Sequence, residues 1–280
     1  MITRTLLSIC LALVAGTAGA AEKNHQATPP GPRVGFHAFV NWDFRHRKSL
    51  KGWRATSVAI QRSIEQWYPG RSPHTVVENG TAAELRTFLH TLPTGSDCNF
   101  SVVYLASHQS PAGEWDFVQN GLARLNEIVA GSHIPRHPAR IVIVDACYAA
   151  AVQHDPIWER EWRSPSVFAA LDSEEVLDLN FRNPQPLDLR RRYPAAIAWL
   201  NENLGRKWDG RLSFFGFVWV QTFVTSPAAP GDLKGWEEFL RRCEATAAEF
   251  RTNGDRRLAS QVTFRPCATS SSPKGAPPLR

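Results

Sequence analysis

The sequence predicts an α/β fold, a mostly parallel sheet with helices on both faces. Three observations predict it. Apolar stretches of strand length alternate with stretches of helical spacing along much of the chain. Two of the strands, Phe100 to Ala106 and Ile141 to Val144, are apolar almost throughout, the pattern of strands covered on both faces. The 280 residues are 43% hydrophobic and 21% charged, enough for a sizeable core and unlike collagen-like or disordered compositions.

The elements follow in order. Val34 to Val40 reads as a first strand. Thr56 to Trp67 carries Val58, Ile60, Ile64 and Trp67 near helical spacing. His74 to Val77 is a short strand. Thr81 and Glu84 have the spacing of a capping box, and the helix they open runs through Leu85, Phe88 and Leu89. Beyond the Phe100 strand, Gly121 to Val129 reads as a helix with Leu122, Leu125 and Val129 on one face. A weaker strand, Val167 to Ala170, follows the one at Ile141. Ser213 to Val224 is apolar and aromatic all round and fits either a strand or a buried helix. Leu233 to Phe250 is a helix, and Leu258 to Phe264 a final strand.

Residues 34–267 therefore read as one domain. Before it, Met1 to Ala20 has the form of a secretory signal: Arg4, an apolar run from Leu6 to Val14, and Ala18-Gly19-Ala20 as a cleavage site near Ala20. Residues 21–33 read as a flexible leader, and residues 268–280, rich in Ser and Pro, as a disordered tail. After residue 20 no apolar run reaches the roughly 18 residues that cross a bilayer, so no stable membrane insertion is expected after cleavage. The net charge of +6 is spread along the chain without a basic stripe interleaved with aromatics, which argues against nucleic-acid binding. The signal, with only six lysines among 32 basic residues as in a GC-rich genome, points to a bacterial periplasmic or secreted protein.

His108 and Cys147 stand just past the carboxyl ends of the two strongest strands, 39 residues apart. That separation suits one crossover between neighbouring parallel strands, and ligands of such sheets bind beyond those ends. A Cys–His pair suffices for nucleophilic acyl transfer, because the base raises the thiolate fraction and then protonates the leaving amine. Taken singly, Cys147 reads as a small buried hydrophobe and His108 as a loop histidine bonded to backbone. Their occurrence at paired strand ends favours the dyad.

A strand ending in Ser107-His108, followed by one ending in Asp145-Ala146-Cys147, resembles the caspase-fold cysteine peptidases: caspases, metacaspases, gingipains and legumains. Asp43-Phe44-Arg45-His46, after the first strand, is similar to the Asn-Tyr-Arg-His of the legumain (asparaginyl endopeptidase) family. The resemblance covers Val34 to Tyr148 and thins beyond. It implies a caspase-like three-layer sandwich and a peptide or protein as substrate. It also implies Cys147 as nucleophile, His108 as general base and acid, and the backbone N–H groups of Gln109 and Cys147 as oxyanion hole. Asp43 would orient the histidine in place of the family's asparagine. Arg45 and His46 would line the pocket for the residue before the scissile bond, where a guanidinium favours Asn or Asp. As an alternative, Arg45 and His46 belong to a solvated basic turn with Arg47 and Lys48.

The sequence departs from the family at three places. Gln109 replaces the usual glycine after the histidine, bringing a side chain where substrate backbone approaches. Tyr148-Ala149-Ala150 replaces a small or acidic residue, Ser and Gly. The segment Leu212-Ser213-Phe214-Phe215 lacks the family's acidic residue, for which Asp172, Glu174 and Glu175 are possible substitutes. Ser166 stands only 19 positions after Cys147, leaving little room for an excisable linker, so a single-chain enzyme is expected.

No metal or cofactor is predicted. Pro135 and Pro138 break any helix that would pair His133 with His137, and no phosphate-binding loop or dinucleotide fingerprint occurs. Trp53, Trp67 and Trp219 fit apolar faces. Trp158 and Trp162 fall in polar loop sequence, and Trp115 either lines a substrate groove or tucks over the core. A Cys243–Cys267 bridge would leave Cys98 as a thiol, but spacing does not fix connectivity. Two other functions compete with the peptidase: a catalytically weak or inactive peptide-binding scaffold, and a carbohydrate- or envelope-binding protein suggested by the tryptophans.

Overall fold

A computed structural model describes residues 31–44, 51–70, 73–117, 121–149, 155–162, 166–172, 178–181, 187–206, 208–226, 228–252 and 261–265. The signal segment, most of the leader, the tail, Arg45, His46, Glu174, Glu175 and Cys267 lie outside the described residues. Cys243 is a free, fully buried thiol, which corrects the expected bridge to Cys267.

Ten strands are described: β1 (Val34–Val40), β2 (His74–Glu78), β3 (Phe100–Ala106), β4 (Glu114–Phe117), β5 (Gly121–Arg124), β6 (Arg140–Asp145), β7 (Ser166–Asp172), β8 (Asp178–Asn180), β9 (Arg211–Ser213) and β10 (Gln261–Arg265). The described helices are α1 (Lys51–Trp67), α2 (Ala82–His90), α3 (Leu125–Ala130), α4 (Pro156–Trp162), α5 (Leu187–Arg192), α6 (Pro194–Leu204), α7 (Phe214–Thr225) and α8 (Leu233–Thr252). The main sheet has the order β10-β7-β6-β3-β1-β2. Its pairs are parallel except β10 with β7. This is the three-layer α/β sandwich with a mostly parallel sheet that the sequence predicts.

Alternation along the strands divides the interior in two. Ala38, Tyr104 and Ile143, which lie in register, face a core shared with α1, α6, α7 and α8. Phe39, Leu105 and Val144, one residue on, face a second core with α2, α3 and α4. Successive strand side chains point to opposite faces, so apolar residues at every position serve both layers at once. The capping box holds: Thr81 Oγ1 accepts from Glu84 N, and Glu84 Oε2 accepts from Thr81 N.

Of the two readings open for Ser213–Val224, the buried helix is the one observed: Ser213 caps α7, and its apolar surface is buried on all sides. Other sequence expectations are corrected. The expected 121–129 helix is a strand followed by a short helix, and Leu122 is 54% exposed rather than on the buried face. Trp158 and Trp162 stack on each other in α4 and are buried, not loop residues. Pro156 and Pro194 stand at the first positions of α4 and α6, where a missing N–H costs nothing.

His37 on β1 is 5% exposed, and burial first, then the positive charge of Arg140 and proximity to His74 and His137, pushes its pKa down to about 4. The folded state then binds fewer protons than the unfolded chain between that value and the ordinary 6.5. Stability is complete above the unfolded value and is lost as pH falls. His74 and His137, also shifted down by burial, act with the same sign. The expected loss from His37 is about 2 kcal/mol between roughly pH 7 and pH 5. Urea unfolding at both pH values checks this, and His37→Leu should remove most of His37's share.

Candidate active site

The chain leaves β1 towards β2 on one side of the sheet, and β3, β6 and β7 then extend it on the other. The loops after β1 and β3 consequently diverge at the carboxyl ends, the place where open α/β sheets bind ligands. In the parallel register of β3 with β6, Ala106 pairs with Asp145. His108 and Cys147 are each two residues beyond that pair, and adjacent strands lie about 4.8 Å apart. His108 continues the parity of Tyr104, which faces the α1 side, whereas Cys147 lies in the turn that follows β6. The His108 ring confirms this side for the histidine, because it packs on Phe44 (centroids 4.6 Å apart) and on Trp53 of α1 (5.3 Å). Both His108 and Cys147 are half-buried.

Each loop is anchored by its own hydrogen bonds. After β1, the Asn79 side-chain oxygen accepts from the N–H groups of Trp42 (3.0 Å) and Asp43 (2.9 Å). This fixes the turn that brings Phe44 onto His108 and leaves Asp43 exposed beside it. Asn79 takes φ 55°, a left-handed conformation that asparagine tolerates better than most residues. After β3, Ser107 Oγ donates to Asp116 O (2.7 Å), and Asn41 Nδ2 reaches the same carbonyl (3.3 Å). The hairpin of β4 and β5, which the sequence analysis missed, thus braces both loops.

Gln109 pairs antiparallel with Trp115 of that hairpin. The neighbouring bonds, Asp116 N to His108 O and Ser110 N to Glu114 O, use the groups on either side of Gln109. Alternation in an antiparallel ladder turns the Gln109 N–H away from the hairpin. The Gln109 side chain is 6% exposed, and its Oε1 accepts from Trp115 Nε1 (2.7 Å). It is therefore folded inward rather than laid across the approach to His108. Trp115 is fully buried, which excludes the groove-lining role and leaves the core role. On the other side of the site, Tyr148 has φ 56° directly after Cys147. A bulky residue in that region marks backbone strain at a sharp turn.

Beneath the site is a polar network with no predicted counterpart. Asp145 is fully buried, and its Oδ2 accepts from Tyr104 Oη and from Ser213 Oγ, each at 2.6 Å. Ser213 Oγ in turn lies 2.9 Å from Thr56 Oγ1, which bonds Gly52 O in α1. Burial and the nearby carboxylate push the Tyr104 hydroxyl well above its usual pKa. A Cβ on Gly216 would come 2.2 Å from Thr56 Oγ1, so a glycine there lets α7 approach α1 and close the network. Trp53 and Thr56, one turn apart on α1, hold His108 and the support of Asp145 respectively. Asp145 appears in the sequence as part of the Asp-Ala-Cys run, but its partners lie 41 and 68 residues away.

A cavity of about 400 Å3 opens next to the turn that carries Asp43. Trp42, Ala55, Val58 and Leu204 form walls, with Lys51 and Asp209 also in the lining. The Arg54 guanidinium lies 5.4 Å from the Trp42 ring centroid and pairs with Glu78 at 3.0 Å. Among the described residues no cluster of three His, Cys, Asp or Glu is placed to hold a metal ion. Asp172 ends β7, away from Ser213 in the chain; its side-chain surroundings lie outside the description.

No family model matches the chain, and no curated protein matches it. Among solved structures, the chain is similar to caspase-1 from Spodoptera frugiperda, with 14% identity and a TM-score of 0.49. The match covers 85% of this chain and 87% of that one.

Proposed function

We propose that the chain is a cysteine endopeptidase of the caspase-like group, with legumain-like features, working as a single chain in the periplasm or outside the cell. The observation that supports the reading is the β3–β6 register: Ala106 pairs with Asp145, and His108 and Cys147 each follow two residues beyond that pair, next to the β1–β3 switch point. The Cys147 thiolate attacks the scissile carbonyl carbon, and the carbonyl oxygen becomes an oxyanion. The N–H groups of Gln109 and Cys147 stabilise it. Protonated His108 gives its proton to the departing amine as the C–N bond breaks. It then takes a proton from water, whose oxygen attacks the thioester carbon; the C–S bond breaks, the carboxylic acid leaves, and the thiolate and protonated His108 are restored. Asp43 orients the imidazole. Phe44 and Trp53 confine the ring, so little reorganisation is needed during the proton transfers.

Arg45 and His46 select the residue before the scissile bond, with Asn or Asp favoured. The test is a panel of fluorogenic peptides carrying Asn, Asp, Arg, Lys or Ala at that position, assayed under reducing conditions from about pH 4 to 8. Cleavage after Asn or Asp, abolished by a thiol alkylating agent, is the expected result. Preference for Arg or Lys removes the roles given to Arg45 and His46. Folded protein without turnover on any peptide shifts the reading to a peptide-binding scaffold.

A further inference from the structure

Trp208 separates the cavity beside Trp42 from a second one of about 420 Å3. Phe181, Ile197 and Trp208 form its apolar walls, and Asn201, Arg190 and Arg206 its polar part. Among the described residues no acidic side chain lines it. Arg190 and Arg206 form no ion pair among the described residues, and both are exposed. Asp209, three residues after Arg206, lies in the lining of the other cavity, and its carboxylate accepts from Arg211 N at 3.0 Å.

The walls are fixed. Trp208 Nε1 donates to Arg211 O at 2.6 Å, so the indole N–H is already used. Phe181 N donates to Gly210 O at 2.7 Å, and the Phe181 and Trp208 rings meet at 5.9 Å. A ligand there therefore meets the aromatic surfaces of Phe181 and Trp208 together with the two arginines of the lining. Planar donor forks match phosphate or carboxylate oxygens, and the volume is that of a small-molecule site.

We propose that this cavity binds a small organic anion, a phosphate or carboxylate carried on a flat apolar body, at a site separate from Cys147. Arg190 and Arg206 bind the anionic group, Asn201 adds a hydrogen bond, and the aromatic walls take the ring.

The probe is phenyl phosphate, titrated calorimetrically into the purified protein, with benzyl alcohol and inorganic phosphate as separate controls. Saturable one-to-one binding of phenyl phosphate is expected, tighter than either control. Arg190→Gln and Arg206→Gln are each expected to weaken it about tenfold, the value of one lost charge-assisted pair. Both substitutions are at exposed positions, and circular dichroism checks that the variants remain folded. Alkylation of Cys147 should leave the affinity unchanged. The proposal is overturned by equal affinity in folded variants, by benzyl alcohol binding as well as phenyl phosphate, by loss of binding on Cys147 alkylation, or by failure to saturate.

Discussion

Cys147→Ala is expected to fold like the wild type and to lose peptide turnover by at least about a thousandfold, since no other group replaces the attacking sulfur. The side chain removed is small and half-buried, so unfolding should change little. His108→Ala should lower turnover by a similar factor, because both proton transfers pass through the imidazole. The two losses should not multiply in the double variant: a nucleophile without its base and a base without its nucleophile are inactive for the same reason. Steady-state rates of the three variants on one peptide check this. Losses that multiply would separate the residues into independent roles and contradict the dyad.

Asp145→Ala is expected to produce the largest stability effect of any single change near the site, about 3 to 5 kcal/mol. The variant leaves the Tyr104 and Ser213 hydroxyls without their acceptor in a fully buried place, and opens a cavity beside them. Asp145→Asn, of nearly the same shape, retains one acceptor oxygen and should cost less. Urea midpoints of the two variants, compared with Ser213→Ala, check the order. Equal midpoints for Asp145→Ala and wild type would mean that the network contributes nothing.

The parts of this fold that were legible in the sequence share a physical cause. β1, β3 and β6 are buried on both faces, so most positions along them are apolar and no periodicity is needed to recognise them. The α2 helix declared itself through the reciprocal Thr81 and Glu84 bonds. By contrast, α7 is apolar all round, which removes the helical stripe, and the decisive signal was the single cap at Ser213. The β4–β5 hairpin has four residues per strand and alternates burial only on β4, too short a pattern to read. In α4 the four-residue spacing of Trp158 and Trp162, with Pro156 at the start, was a readable helix signal that loop polarity obscured.

For the candidate site, the placement of His108 and Cys147 just past the ends of β3 and β6 was legible because strand ends and a single crossover leave few alternatives in register. Their surroundings were not. Trp53 reaches His108 from α1, and Ser213 reaches Asp145 from the start of α7. Such contacts depend on how the helices fold back over the sheet, which no local pattern encodes. The effect of Gln109 was equally hidden, since its inward turn depends on an indole six residues later. A side chain expected to obstruct the site instead fastens the loop beneath it.

The central claim is that His108 activates Cys147, and alkylation kinetics test it without a substrate. Iodoacetamide labelling of folded protein, resolved by peptide mapping, compares Cys147 with Cys98 and Cys243. The latter two are buried, and burial pushes both thiols upward, Cys243 to about 12. The account predicts that near pH 6 Cys147 reacts far faster than either, and that His108→Ala slows it about tenfold or more. A Cys147 rate at that pH unchanged by His108→Ala would contradict it.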